Sequence, residues 1–167
     1  MTTGLLDHAL RTYGKQGVAD ACLTLQDNHG ANVLLLLYAS WLDAEGRSLD
    51  DSGLSRAGAA LAPWYDEVIQ PLRRIRRGLK QGPAPAPSQA TDALRGIVKR
   101  AELEAELLGL THLETLPLPA PAEGGEPTGT NLGRMFRMMG IDPGHADATA
   151  LSQRVAMPLT DGADPGG

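Results

Sequence analysis

The chain has 167 residues, of which 42% are hydrophobic and only 4% aromatic, and its formal net charge is −5. This length predicts one domain with a mostly aliphatic core, and the negative charge argues against general affinity for nucleic acid. A single cysteine excludes an internal disulfide framework and cysteine-rich zinc sites, and it suits a reducing cytoplasm.

The first thirty residues are predicted to form two amphipathic helices. The first begins near Leu5 and ends at Gly14, and the second places Cys22 on its apolar face. The second helix is expected to end at Gly30, because glycine adopts the positive φ of a helix C-cap at little cost. The N-terminal segment lacks the basic start and long apolar run of a signal peptide, so a cytoplasmic protein is expected.

A third helix, from Val33 to Leu42, is predicted to be the buried centre of the protein. It is apolar on almost every side, and such a helix must be surrounded by other helices. Asn32 is expected to cap its start. The apolar run covers roughly 15 Å, about half of a bilayer core, so it is not predicted to cross a membrane.

The middle of the chain is predicted to hold a short helix that opens near Asp51, followed by two long ones. Pro63 is expected to end one helix or to start the next, and Pro71 is expected to kink the first long helix. That helix carries an apolar stripe of Trp64, Tyr65, Val68, Leu72, Ile75 and Leu79. The second long helix runs from about Ser88 to Leu113, and its predicted buried face is Leu94, Ile97, Val98, Ala101, Ala105 and Leu108.

The fold class predicted from these patterns is all-α, because no strand-like alternation occurs. Residues 1–113 are expected to form a single-domain bundle of about five to six helices. Residues 114–130 are rich in Pro and Gly and are predicted to be a flexible linker. Residues 131–157 are expected to hold a short Met-rich helix and a possible further one, before a disordered tail over residues 158–167.

No catalytic constellation emerges from the polar residues. Asp27 and His29 could form a ligand site or a general base, but polar residues at a helix C-cap explain them more simply. His8, His112 and His145 lack zinc-site spacing, so neither a metal nor a cofactor is predicted. Cys22 is expected to be buried and inert, and Ser40 lacks the turn of a hydrolase nucleophile.

The concentrated positive charge lies at the end of the first long helix, in Arg73, Arg74, Arg76, Arg77 and Lys80. It could hold a phosphate, a nucleic acid or an acidic partner. The favoured interpretation is a solvated helix end, stabilised by the helix dipole and by acids of the neighbouring helix. Glu102, Glu104 and Glu106 are the expected acids.

Several segments in order resemble an uncharacterised family of short, mostly proteobacterial proteins with a conserved domain of unknown function. The segments are residues 17–27, His29-Gly30, the Leu-rich run to Trp41-Leu42, Ala62-Pro63-Trp64 through Pro71-Leu72-Arg73, and Val98-Lys99 through Ala101-Glu102-Leu103-Glu104. The resemblance covers about residues 5–113. It implies a cytoplasmic bacterial helical protein, and it carries no activity or catalytic residues.

Two functional hypotheses follow, and an enzyme is not the favoured one. The first is a non-enzymatic interaction or regulatory protein with a protein partner, bound through Arg74, Arg77, Met135, Phe136 and Met139. The second is a small-molecule site, with or without enzymatic activity, between the Leu-rich helix and the Trp64 helix. Its candidate residues are Asp27, His29, Tyr38, Trp41, Trp64 and Arg73. Nucleic-acid binding ranks last because of the net charge.

Overall fold

The computed structural model describes residues 3–118 and 130–158, and these form helices without a strand. The helices are α1 (Leu5–Tyr13), α2 (Val18–His29), α3 (Val33–Ala44), α4 (Asp51–Trp64), a π-helical turn (Tyr65–Ile69, the π-turn), α5 (Gln70–Gly78), α6 (Gln89–Glu114), α7 (Asn131–Met138) and α8 (Ala146–Ala156). Because α4, the π-turn and α5 run on without a break, the described chain has seven helices, slightly more than predicted. The all-α prediction is confirmed. Within the described ranges, no helix has both the length and the apolar character needed to cross a bilayer.

The chain divides into two compact units. Of the described residues, the first unit contains 3–55, 117–118 and 130–158, and the second contains 56–116. In the first unit, α7 packs on α3 and α8 packs on α2. Most of the predicted linker and tail, residues 119–129 and 159–167, lies outside the described part of the chain.

The centre of the first unit is α3, as the apolar run predicts. Every residue from Val33 to Leu42 is buried, and α1, α2 and α7 pack around this helix. The Asn32 side chain caps it by accepting from the amides of Leu34 and Leu35, at 3.1 and 3.4 Å. Before it, Gly30 ends α2 with a left-handed φ of 64°. Both helix-end predictions are therefore confirmed.

A hydrogen-bond network fixes the start of α7 to the end of α3. The Asp43 carboxylate accepts from the Asn131 amide at 2.7 Å, the Asn131 side chain at 2.8 Å and the Leu132 amide at 3.1 Å. The Asn131 side chain also donates to the Arg47 carbonyl and accepts from the Leu49 amide. A carboxylate suits this place because the amino end of a helix is positive.

The π-turn changes the helical register inside the second unit. The Gln70 amide donates to the Tyr65 carbonyl, five residues back, in place of the usual four. Pro71 follows directly, and its ring would crowd the Glu67 carbonyl in a regular α-helix. The wider turn relieves this crowding and adds one residue to the helix, which rotates everything after it by about 100°.

This rotation makes the predicted stripe wrong beyond the π-turn. Ile69 is fully buried and Arg73 is only 5% exposed, whereas Ile75 is 51% exposed. The expected break at Pro63 is also absent, because α4 continues through it. The carbonyl that loses its partner belongs to Ala59, which lies on the exposed side of the helix.

The predicted buried face of α6 is wrong for most of its residues, although Ala105 is buried as predicted. Leu94, Ile97 and Leu108 are 47%, 54% and 57% exposed. The face that packs in the second unit instead carries Thr91, Glu102, Ala105, Gly109, Leu110 and Leu113. Glu102 belongs there because arginines of α5 pair with it. Apolar periodicity cannot detect such a face.

Candidate functional site

The first unit contains a polar pocket of about 510 Å³, to which four helices contribute. One face of α1 and the carboxyl end of α3 form part of it, together with the start of α7 and the end of α8. Its polar lining residues are Thr3, His8, Arg11, Thr12, Lys15, Ser40, Asp43, Glu45, Thr130 and Ser152. This volume suits a small molecule.

His8 is the central side chain of this pocket. Its Nε2 lies 3.0 Å from Ser40 Oγ and 3.3 Å from Thr12 Oγ1. Ser40 Oγ donates its own proton to the Leu37 carbonyl at 2.9 Å, so a ring hydrogen on Nε2 satisfies the His8–Ser40 contact. Burial lowers the pKa of His8, and the positive charge of Lys15 lowers it further, so the neutral ring is favoured.

Structural bonds hold most of the charged groups around the pocket. Lys15 Nζ donates to the carbonyls of Val155 and Met157, at 2.6 and 2.7 Å, and so caps the end of α8. Glu45 accepts from the Thr3 amide at 3.0 Å. Lys15, Asp43 and Glu45 are thereby fixed in place, whereas Arg11 pairs with Asp7 at the exposed surface of α1. The formal charges of the two cations and two carboxylates that line the pocket cancel.

This arrangement is built for hydrogen bonding and does not form a nucleophile. Because the Ser40 proton points to a backbone carbonyl, His8 does not act on it as a base. The sequence carried one signal of the pocket that the prediction missed. His8, Arg11 and Thr12 share the spacing i, i+3, i+4, which places them on one face of α1, and Lys15 follows just after the helix ends.

None of the six predicted ligand-binding residues lines this pocket. Tyr38 and Trp41 are buried in the first unit with their ring centroids 6.0 Å apart, and Trp41 Nε1 donates to the Thr3 carbonyl. Asp27 is exposed on α2. Trp64 lies in the second unit, where its Nε1 donates to the Ala105 carbonyl at 2.8 Å.

His29 has a partner that the sequence did not indicate. Its Nε2 lies 2.8 Å from Asp147 Oδ2, although the two residues are far apart in the chain. The His145 ring packs edge-on against the His29 ring at 4.8 Å between centroids. The predicted ligand site grouped His29 with Asp27 and with residues of other helices, but it did not include Asp147 or His145.

Arg73 is the centre of an ion-pair network in the second unit. It donates to Glu102 at 3.0 Å, to Glu106 at 2.7 Å and to the Tyr65 hydroxyl at 3.2 Å. Arg76 also donates to Glu102. Glu102 and Glu106 are thus two of the acids expected from α6, but Arg73 is buried and not solvated as predicted.

The two carboxylates of this network differ in their electrostatic environment. Burial alone would raise the pKa of Glu102, but hydrogen bonds from Arg76 and Arg73 lower it below its usual value. Burial raises the pKa of Glu106, and Arg73 offsets this only in part. Arg74 and Arg77 are exposed on the outer side of α5.

The Met-rich helix is α7, which is part of the first unit and packs on α3. Met135 and Phe136 are buried as α7 packs on α3, and Met139 is partly exposed. Met135 and Phe136, which the sequence predicts to contact a protein partner, are thus part of the core of the first unit. The thiol of Cys22 is also buried, which raises its pKa to about 12, so it is not a reactive cysteine.

These features describe an all-α protein without a recognisable catalytic centre among its described residues. The chain belongs to the family described as "Protein of unknown function (DUF2390)", whose profile matches residues 5–113. The resemblance to an uncharacterised family is therefore confirmed. Neither the curated proteins nor the solved structures that were compared with the chain gave a match.

Proposed function

We propose that the protein binds a small polar molecule in the pocket around His8. The observation that supports this is the cluster of His8, Thr12 and Ser40, three hydrogen-bonding side chains held together at the pocket wall. Rigid elements position all three, since His8 and Thr12 lie on α1 and Ser40 on α3. Convergent polar groups in a concave site are the usual mark of a ligand pocket.

The charges around the pocket narrow the class of ligand. Arg11 and Lys15 contribute two positive charges, and Asp43 and Glu45 contribute two negative ones. A ligand with a large net charge would meet like charges on one side of the pocket. An uncharged or zwitterionic compound, such as a polyol, a nucleoside or a free amino acid, fits this arrangement.

Thermal unfolding with a panel of such compounds tests the proposal. A bound ligand raises Tm in a saturable way, because it stabilises only the folded state. Thr12→Val keeps the shape of this buried side chain and removes its hydroxyl contact with His8, so it should weaken the shift. Thr111→Val is the matched control, since Thr111 is exposed on α6 and bonds only its own helix. Equal shifts in both variants, or none with wild type, would refute the pocket.

A second candidate function is self-association through α6. Ala90, Leu94, Ile97, Ala101 and Leu108 are all exposed, and the spacing of these residues follows the heptad of a coiled-coil seam. Leu94 and Leu108 each lie seven residues from Ala101, and Glu104 occupies the heptad position between Ala101 and Leu108. Two antiparallel copies would therefore place Leu94 of one chain opposite Leu108 of the other.

Analytical ultracentrifugation over a range of concentrations tests this second candidate. Wild type should form a dimer, and Leu94→Glu should make it monomeric by burying a charge in the seam. Leu103→Glu is the control, because Leu103 is 52% exposed but lies outside the heptad. A wild-type monomer at all concentrations would contradict self-association and leave the His8 pocket unaffected.

A further inference from the structure

Three potential metal ligands meet where α2 ends and α8 begins. His29 is the last residue of α2, His145 is the N-cap of α8, and Asp147 is in its first turn. His29 Nε2 lies 2.8 Å from Asp147 Oδ2, and His145 Nδ1 lies 3.7 Å from the same oxygen. One ligand atom from each residue falls within 4.8 Å of the other two.

These separations are close to what one metal ion needs. Zinc binds imidazole nitrogen and carboxylate oxygen at about 2.0–2.2 Å, which at tetrahedral angles places the ligand atoms roughly 3.4 Å apart. Small side-chain rotations would bring the three atoms to that spacing. His29, His145 and Asp147 have side chains that are 23%, 48% and 29% exposed, so an ion can enter from solvent.

We propose that His29, His145 and Asp147 form a binding site for one divalent first-row transition-metal ion such as Zn²⁺. Two imidazoles and one carboxylate suit such an ion, whereas Ca²⁺ and Mg²⁺ prefer oxygen ligands. The set leaves at least one coordination position open. Asp147 also lines a pocket of about 390 Å³ along α2 and α8, which gives water or a small ligand access beside it.

The local contacts explain how the site would be held and what it would replace. The Asp147 amide donates to His145 Nδ1 at 3.2 Å, so this ring also caps α8. Binding through Nδ1 replaces that long hydrogen bond, and binding through Nε2 retains it. The negative end of α2 favours a cation at His29, the positive end of α8 opposes it, and the charge of Asp147 adds to the attraction.

A bound ion would join two helices from opposite ends of the chain. α2 lies within the segment that the family profile matches, and α8 lies beyond it. The ion would thus stabilise the first unit by holding α8 on α2, since the ligands come together only in the folded state. This inference is independent of the His8 pocket.

Isothermal titration of the full chain with Zn²⁺ at pH 7.5, repeated with Co²⁺ and visible absorption, tests the site. We expect one equivalent to bind, to raise Tm and to be displaced by neither Ca²⁺ nor Mg²⁺. His145→Asn should weaken binding by more than about tenfold, since loss of even an outer-shell partner has effects of 10–100-fold. Asparagine is a good N-cap, so this variant retains the start of α8.

Two further variants make the result decisive. Asp147→Asn should also weaken Zn²⁺ binding, because it removes the negative ligand. His112→Gln is the control, since His112 is exposed on α6 in the second unit. Affinity that falls equally in His112→Gln, or that is unchanged in both His145→Asn and Asp147→Asn, would overturn the proposal. The absence of saturable Zn²⁺ binding by wild type would do the same.

Discussion

The Arg73 guanidinium is a buried charge, and its acidic partners compensate for the loss of its contacts with water. It contacts Glu102, Glu106 and the Tyr65 hydroxyl, and its carbon lies 5.8 Å from the centre of the Tyr65 ring. A buried ion pair adds little compared with an apolar pair, but removing one partner leaves the other charged and desolvated. The network therefore fixes how α5 meets α6 more than it adds to stability.

Glu102→Ala should lower the free energy of unfolding by about 3–5 kcal/mol, because it leaves Arg73 without its most buried acidic partner. Glu104→Ala removes an exposed carboxylate from the same helix and should change the free energy of unfolding by less than about 0.5 kcal/mol. Urea unfolding followed by circular dichroism measures both variants. Equal effects of the two substitutions would show that the ion pairs do not hold this interface.

His8 should make stability depend on pH. Its pKa is lowered in the folded protein, so below about pH 6.5 the unfolded chain binds a proton that the folded chain rejects. The stabilising contribution is present above this pH and is lost as the pH falls towards the lowered pKa. His8→Gln lacks this contribution.

Urea unfolding of wild type and His8→Gln at several pH values checks this expectation. The difference in free energy between the two proteins should be smaller at pH 5.5 than at pH 7.5. Between pH 7.5 and 8.5 it should stay constant, because both states of the wild-type ring are then neutral. A difference that is the same at pH 5.5 and 7.5 would contradict the burial of His8.

Among the elements, α3 could be predicted from the sequence and the faces of α5 and α6 could not. The apolar run of α3 needs no partner to be recognised, and Asn32 and Gly30 mark the helix ends by local chemistry. The π-turn, in contrast, shifts the register by one residue, so Arg73 and Arg76 lie where the sequence predicted Leu72 and Ile75 on the buried face. Neither that shift nor the pairing of His29 with Asp147 is visible without the tertiary structure.

The two faces of α6 should respond differently to truncation. Leu113→Ala should cost about 2–5 kcal/mol of stability, because Leu113 is fully buried in the second unit. Ile97→Ala removes a similar side chain from the exposed face and should cost less than about 1 kcal/mol. Chemical denaturation at a protein concentration below any self-association gives the comparison. A larger loss of stability from Ile97→Ala than from Leu113→Ala would show that the face predicted from periodicity is the buried one.

At the scale of the molecule, the first unit depends on a segment outside the matched family profile. The profile covers residues 5–113, yet α7 and α8 pack on α3 and α2. Truncation after residue 116 should therefore expose apolar surface of α3 and loosen the first unit. The second unit, residues 56–116, keeps all of its own helices.

Tryptophan fluorescence can report the two units separately, because Trp41 lies in the first and Trp64 in the second. In a Trp64→Phe background, truncation after residue 116 should shift the Trp41 emission to the red and increase its quenching by acrylamide. In a Trp41→Phe background, the Trp64 signal should change little. Emission that is unchanged in both backgrounds would mean that the first unit forms without α7 and α8.

The division of the first unit between the two ends of the chain also sets the order of folding during synthesis. The second unit is continuous in sequence and can fold as soon as its residues leave the ribosome. α3 emerges earlier, yet its partner α7 is made roughly 90 residues later, which takes about 5–20 s at a translation rate of about 5–20 residues per second. During that time the most apolar of the described helices is incompletely covered, and the exposed surface favours aggregation of the unfinished chain.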